Sequence, residues 1–543
     1  MKLKRLVGLS LAAVMALSMV ACGGKEPEGV TVSSKEDDVT VAVGNTANSD
    51  DQNTTKSDET LVVALPSEPS SMAPTLVGES ENESSIISGA IMDTLVAQDQ
   101  VTGEIVPNLA TEWEWVDDYR LQLKLRDDVK FTDGSLLTPE DVIYTFETLA
   151  TQSGNNDGGK FLDSSKNEIV DEHTVILGFN TIAPDMITML TWTPFSIFSQ
   201  EEVEACGGYE AASDNPIIGC GRYKFKEWVQ GQYVTLERNE DYWNTDYTGY
   251  FKEIKFTFTQ DAASREMAVE AGDATVAYDI PIAQASTFLN NNNVKTSFYS
   301  FGQVYHIWMN IRDSKAMAEV KVREAIDKAL DYDAIAAYAT GGQAGQALGY
   351  LDDKVPFYVQ SYTKEERAQD IEGAKALLEE AGYGDGLTIR SLGTQDDEGL
   401  YTVMQAQLAQ AGITLEINTV DIPTFVQGAN GGDYDIILVG EYLDSRNPSA
   451  YVFFDQKSID TFNIGGDKYT TDEIWGAVQD VIKATDNDAA KEKVATLEEI
   501  MKRDTLVLNL CPQLRAVITQ PDIKGLSTRE RGFIDVTGFY RAS

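Results

Sequence analysis

Leu123-Lys-Leu-Arg-Asp-Asp-Val-Lys-Phe-Thr-Asp-Gly134, followed by Leu137-Thr-Pro-Glu-Asp-Val-Ile-Tyr-Thr-Phe-Glu147, is the stretch on which the reading of this chain turns. The approach to it, Tyr119-Arg-Leu-Gln-Leu-Lys-Leu125, alternates apolar and polar residues strictly, which predicts a strand with one buried face. Thr138 then stands where a helix N-cap belongs, and Pro139 suits the first turn. Glu140 and Asp141 lie at the positive end of the helix. Val142, Phe146 and Leu149 continue its apolar face. A strand is thus followed closely by a capped helix.

The same alternation of elements runs outward in both directions. Leu61-Val-Val-Ala-Leu65 predicts a short apolar strand, and Ser84 to Leu95 predicts a helix with Ile87, Ile91 and Leu95 on one face. Tyr223–Trp228 and Tyr233–Arg238 read as a hairpin turning at Gln230-Gly231. Val322 to Ala337 reads as one strong helix, and Ala374–Ala381 as a helix stopped by Gly382. Strands at Leu387–Arg390 and Ile413–Val420 flank a helix around Val403–Ala411. Ile436-Ile-Leu-Val439 suits a central strand covered on both faces. The fold class is therefore α/β.

The chain has 543 residues, enough for two large lobes or several domains at roughly 100–200 residues each. Acidic residues outnumber basic ones 87 to 43, a formal net charge of −44. That excludes nucleic acid as the partner, because phosphate binding needs clustered Lys and Arg. It also disfavours electrostatic attachment to an anionic membrane. The two histidines, His173 and His306, rule out a His-rich metal centre.

The N-terminus reads as an address. Lys2, Lys4 and Arg5 precede an apolar run from Leu6 to Val20, then Ala21-Cys22-Gly23. This is the pattern of a secretory signal, and the run is short for a membrane span. Cys22 after Ala21 resembles a bacterial lipobox, with Met19 where Leu is more usual. The resemblance implies cleavage after residue 21 and lipid on the Cys22 thiol; the alternative is an ordinary secretory signal. From Gly23 to Glu59 there is no aromatic residue, and a disordered acidic tether over 22–59 is expected. Of the remaining cysteines, Cys206 and Cys220 could close a loop, and Cys511 completes an odd number.

Catalytic signatures are missing. No GxSxG or Cys motif accompanies either histidine, and Gly158-Gly159-Lys160 is only a fragment of a phosphate loop. Gly219-Cys-Gly221 fails as a dinucleotide loop at Lys224, and Asp486-Asn-Asp488 fails as a calcium loop at Ala489-Ala490. The chain reads as a non-enzyme with no cofactor.

Pro107-Asn-Leu-Ala-Thr-Glu-Trp-Glu-Trp115 and the two opening blocks together resemble the signature of family 5 extracellular solute-binding proteins, the peptide and nickel receptors of ABC importers. Later blocks keep the order: Gly219–Trp228 with Leu236–Trp243, Val320–Asp331, Asp370–Tyr383, Gly432–Ile436 and Phe462-Asn463. Cys220 and Arg222 depart from it, standing where the family has a small hydroxyl residue and often proline. The resemblance implies a large two-lobed periplasmic-binding-protein-like fold. Lobe I would comprise 60–104, 216–303 and 513–543, with an inserted subdomain at 105–215. Lobe II would be 304–512, and crossings near 298–305 and 510–518 would form a hinge.

It also implies site residues. Asp444, four residues before Pro448, matches the aspartate that holds the ligand α-amino group in peptide-binding members; capping the turn is the other role open to it. Tyr442 and Arg446 flank it, and Arg446 would meet a ligand carboxylate or a surface acid. Tyr305 and Trp308 lie on a strand that enters the cleft in the family, ordinary core packing being the other role open to Trp308, and Ser67 and Glu68 follow the first strand of the other lobe. The function implied is a monomeric, lipid-anchored receptor on the outer side of the cell membrane, delivering short peptides to permease subunits. A nickel or metal-chelate receptor, for which His306 is the residue at hand, and a sensory binding protein without an importer are the alternatives.

Overall fold

The computed structural model describes residues 56–73, 82–99, 104–151, 159–180, 186–209, 218–353, 355, 357–440, 472–484, 487–529 and 532–542. Strand β1 (Thr60–Leu65) leads to helix α1 (Asn82–Ile91) and a short pair, β2 (Val96–Gln98) and β3 (Ile105–Pro107). Then β4 (Ala110–Asp117), β5 (Arg120–Leu125), helix α2 (Pro139–Thr151), β6 (Glu168–Asp171) and β7 (Thr174–Gly178) build a separate antiparallel sheet in the order β4-β5-β7-β6. Leu121, Leu123, Val175 and Leu177 of that sheet share one core with Val142, Phe146 and Leu149 of α2. The helix starts as its sequence predicts. The Thr138 hydroxyl and N–H both donate to the Asp141 carboxylate, at 2.7 and 2.9 Å, while the Asp141 N–H reaches back to the hydroxyl at 3.4 Å.

The chain continues through β8 (Tyr223–Val229), β9 (Tyr233–Arg238), β10 (Glu253–Phe258), α3 (Ala262–Ala271), β11 (Val276–Ala277) and the 15-residue β12 (Lys295–Met309). Next come α4 (Val320–Ala329), α5 (Tyr332–Ala339), α6 (Ile371–Glu380), β13 (Leu387–Thr394) and α7 (Glu398–Gln410). They are followed by β14 (Ile413–Glu416), β15 (Thr419–Val420), α8 (Ile422–Gly431), β16 (Ile436–Gly440), α9 (Asp472–Ile482), α10 (Asn487–Arg503) and β17 (Val507–Thr519). One mixed sheet joins them in the order β14-β13-β16-β12-β17-β11-β1-β10-β9-β8, with β15 beside β13. As the apolar run predicts, β16 is central, paired to β12 on one side and β13 on the other.

This sheet serves two large cores. One gathers residues from β1, α1, β9, β10 and the C-terminal segment, including Leu61, Ile87, Leu236, Phe256 and Phe539. The other gathers Ile307 to Cys511, from the second half of β12 to the first half of β17. The two long antiparallel strands β12 and β17 are common to both. Lys295–Ser300 pairs with Leu514–Thr519 beside the first core, and Val304–Trp308 pairs with Val507–Pro512 beside the second.

Four expectations change. The helix expected to Leu95 stops at Ile91. The single helix over 322–337 is two, because Leu330 is extended and Asp331 caps a new one through the Ala334 N–H at 3.0 Å. The strand expected over 413–420 is interrupted, leaving β14 and β15 to pair separately with β13. The expected tether does not run to 59: the Ser57 N–H donates to the Tyr250 carbonyl at 2.9 Å, and Lys56 pairs with Glu240 at 2.7 Å. Residues before 56, Cys22 included, lie outside the described residues.

The departures from the family pattern at 220 and 222 have a physical role. Cys220 is fully buried in the core beneath α2, while Cys206 is exposed, and both are free thiols. Arg222 donates to the Thr537 hydroxyl at 2.7 Å and lies 3.7 Å from Asp535, which Arg529 also approaches at 3.5 Å. Proline at 222 would have no side chain to make this tie to the C-terminal segment.

Candidate functional site

The place where β12 and β17 pass from one core to the other is where two lobes must be joined. Pairing is irregular there, with register shifts between Ser300 and Val304 and again between Tyr305 and His306. Tyr305 lies opposite Gly440 on one side and Cys511 on the other. It is half-buried, beside the end of β16 from which residues 441–448 depart. A Cβ on Gly440 would meet the amide end of the Gln513 side chain, which reaches across from β17 to the end of β16.

The neighbouring positions on β12 face inward. Trp308, opposite Ile437 and Val507, is 1% exposed and packs in the second core. In this arrangement it is a packing residue of the second core. His306 is equally enclosed. Its ring stacks on Tyr350 at 4.5 Å, and its Nδ1 lies 3.1 Å from the Asn509 side-chain oxygen. Burial depresses its pKa to about 3, with the Asn509 contact opposing and Arg367 adding to the shift. A neutral, stacked, enclosed imidazole is a packing element rather than an open metal ligand. Among the described residues no group of three His, Cys, Asp or Glu is arranged to hold a metal ion.

On the other side, Ser67 is exposed and Glu68 half-buried, just beyond β1. Glu68 Oε1 accepts from Trp228 Nε1 at 2.7 Å and from the Gly231 N–H at 2.9 Å, so it clasps the β8–β9 hairpin. Asp444, Tyr442 and Arg446 lie outside the described residues. Of the expected ligand residues, the structure therefore brings Tyr305 to the crossing, sets Trp308 in the core, and gives Glu68 a partner on its own sheet.

Sequence reading missed a polar group at the crossing. Arg515 lies opposite Tyr299, donates to the Tyr278 hydroxyl, and has its guanidinium 5.5 Å from the Phe533 ring. Burial pushes the Tyr278 hydroxyl up to about 12 against the opposing pull of Arg515. Asp279 beside it takes a left-handed φ of +56. Arg265 fixes that turn by donating to the carbonyls of Tyr278 at 3.2 Å and Asp279 at 2.7 Å. The single charged residue of the strand Cys511 to Thr519, Arg515, was the available signal.

Comparison with known proteins fits this architecture. Bacterial extracellular solute-binding proteins, family 5 Middle, match residues 104–460. The chain belongs to this family. Family 5 members are receptors of ABC importers rather than enzymes, and this member shares their two-lobed α/β fold. Nickel-binding protein NikA of Staphylococcus aureus is 24% identical over 473 residues, covering 83% of this chain and 90% of its own. Oligopeptide-binding protein AppA of Bacillus subtilis is 26% identical over 367 residues, covering 62% of this chain and 65% of its own. The structure of HbpA2 from Haemophilus parasuis superposes with a TM-score of 0.79 at 21% identity, over 89% of this chain and all of that one. No helix among the described residues is long and apolar enough to cross a membrane.

Proposed function

We propose that this family 5 protein is a lipid-anchored receptor that closes two lobes over a short peptide and passes it to an ABC permease. Lobe I would be 60–104, 216–303 and 513–543 with the subdomain 105–215, and lobe II 304–512. The separate cores on either side of the β12–β17 crossing support that division. The observation that carries the peptide reading over the nickel one is the enclosure of His306, 2% exposed and already stacked and bonded. Peptide-binding relatives such as AppA support it too.

A receptor for varied peptides must grip what all peptides share: the α-amino group, the backbone and the carboxylate. Asp444 would hold the amine through a charge-assisted bond, with Tyr442, Tyr305 and Arg446 around it. Asp444→Asn should weaken peptide binding by about 2–5 kcal/mol, because the ligand ammonium loses its partner in the closed cleft. N-acetylated peptides should bind the parent poorly and lose little more in the variant. A thermal-shift screen of di- to hexapeptides followed by that double comparison tests the reading; no stabilising peptide, or indifference to acetylation, sinks it.

The nickel reading keeps one support, the NikA likeness. Calorimetry with nickel and a small chelator decides: tight binding in a chain that ignores peptides would replace the peptide reading, and its ligands would have to come from residues other than an enclosed His306. The anchor is tested separately. Cys22→Ala should release the protein from membranes, and continued membrane fractionation would refute the anchoring.

A further inference from the structure

Between the two large cores, β12 sets three residues, Phe301, Gly302 and Gln303, against the single Gln513 of β17. Gly302 takes φ +84, a conformation that side chains disfavour. A step later the surplus is on β17, where Leu510 falls between the partners of Tyr305 and His306. Pro512, opposite Val304, has no N–H to give the ladder. Both strands are therefore interrupted within a few residues, and such bulges are where a strand bends and twists.

Two side chains in this segment are in opposite states. The Ser300 hydroxyl accepts the Gly302 N–H at 3.2 Å and donates to the Asp352 carboxylate. Asp352 is 3% exposed, on a loop whose Tyr350, Leu351 and Val355 belong to the second core. Gln303 is buried to the same degree, yet its amide nitrogen is shut off from water with no hydrogen-bond partner among the described residues. A buried amide left unpaired is a standing cost to the conformation that contains it.

We infer that Ser300, Asp352 and Gln303 form a two-position latch at the hinge. The Ser300–Asp352 bond holds the crossing in the present arrangement of the lobes, and the unpaired Gln303 amide opposes it. Rotation about the bulge releases Asp352 and lets Gln303 reach a partner or water. The balance between lobe arrangements is then set by residues that need not touch the solute. The inference rests on the two-lobed receptor and not on the ligand being a peptide.

The test needs no solute. The full chain carrying Cys22→Ser and Cys206→Ser takes spin labels through Met267→Cys on α3 and Glu379→Cys on α6, both exposed positions on opposite sides of the crossing. Distances between the labels are read by double electron–electron resonance. Ser300→Ala removes the latch and should deplete the present arrangement by about threefold to tenfold. Gln303→Met removes the unpaired amide at similar volume and should enrich it by about as much. In the double variant the two shifts should largely cancel. Distance distributions that match the parent in both single variants, or that move the same way, overturn the latch. If Ser300→Ala does not fold, Asp352→Asn replaces it in the same comparison, and a Gln303→Met change that leaves that background unmoved overturns the role of Gln303. A solute-free result stands whatever the peptide screen finds.

Discussion

Glu498 on α10 places its carboxyl inside the second core, 3% exposed, where it accepts from the Tyr350 N–H at 3.3 Å and from the Ser361 hydroxyl. Burial pushes its pKa up to about 8, against the Tyr350 bond. The folded chain thus holds a proton that the unfolded chain gives up near its ordinary value of about 4.3. This contribution to stability is full below that value and is lost as pH rises towards 8. Glu498→Gln should flatten the fall and leave the protein about 1–3 kcal/mol more stable at neutral pH. Urea unfolding at a series of pH values measures it; an unchanged slope between pH 5 and 8, bounds set by that shift, would refute it. Asp535 is the opposite case. Burial alone would raise its pKa, but Arg529 and Arg222 hold it below the usual range. Its contribution is present above about pH 4 and lost as pH falls through the lower folded value. Asp535→Asn takes the charged partner from two half-buried guanidinium groups and should cost about 1–3 kcal/mol at neutral pH, with a shallower acid limb in the same experiment.

At the scale of elements, the break between α4 and α5 shows a local signal outweighing a longer pattern. Val322, Ile326, Ala329, Leu330 and Ile335 suit one continuous apolar face, and a single helix would bury them all. Asp331 nevertheless caps α5, and its own N–H donates to the Gln407 side chain at 2.9 Å on α7. Asp331→Ala should therefore cost about 1 kcal/mol by denaturant titration, the usual worth of a cap. No loss would mean that packing alone sets the break. Gly221 illustrates a contact invisible to any local pattern. A Cβ there would strike the backbone at Ile91 and Met92, which cannot swing aside as a side chain can. Gly221→Ala should destabilise by about 1–3 kcal/mol or more, and a melting temperature equal to the parent's would contradict the close approach.

Across the whole molecule, 87 acidic against 43 basic residues give a chain that repels itself. Raising ionic strength from about 0.01 M to about 0.15 M shortens the screening length from roughly 30 Å to 8 Å, so the melting temperature should rise. A fall, or no change, would mean that specific ion pairs outweigh the general repulsion. A peptide that binds the folded protein should add about 2.7 kcal/mol when present at about a hundred times its dissociation constant. Because β12 and β17 belong to both cores, that gain should appear in unfolding of both lobes rather than one.

The sequence by itself determined the α/β class, the family, the capped start of α2, the β8–β9 hairpin and the central place of β16. Each of these is written in neighbouring residues: a period of two or of four, a cap followed by acids, or an ordered set of motifs. The family resemblance implied crossings near 298–305 and 510–518; the register shifts between Ser300 and Val304 and between Tyr305 and His306 are features of the folded ladder. Only the tertiary structure decided that Trp308 and His306 are enclosed while Tyr305 is half-buried beside the end of β16, because alternation along a strand cannot say what covers either face. Likewise the pairing of Arg222 with Asp535, of Ser300 with Asp352, and the isolation of Gln303 join or separate residues by where the sheet carries them, and sequence distance holds no record of that.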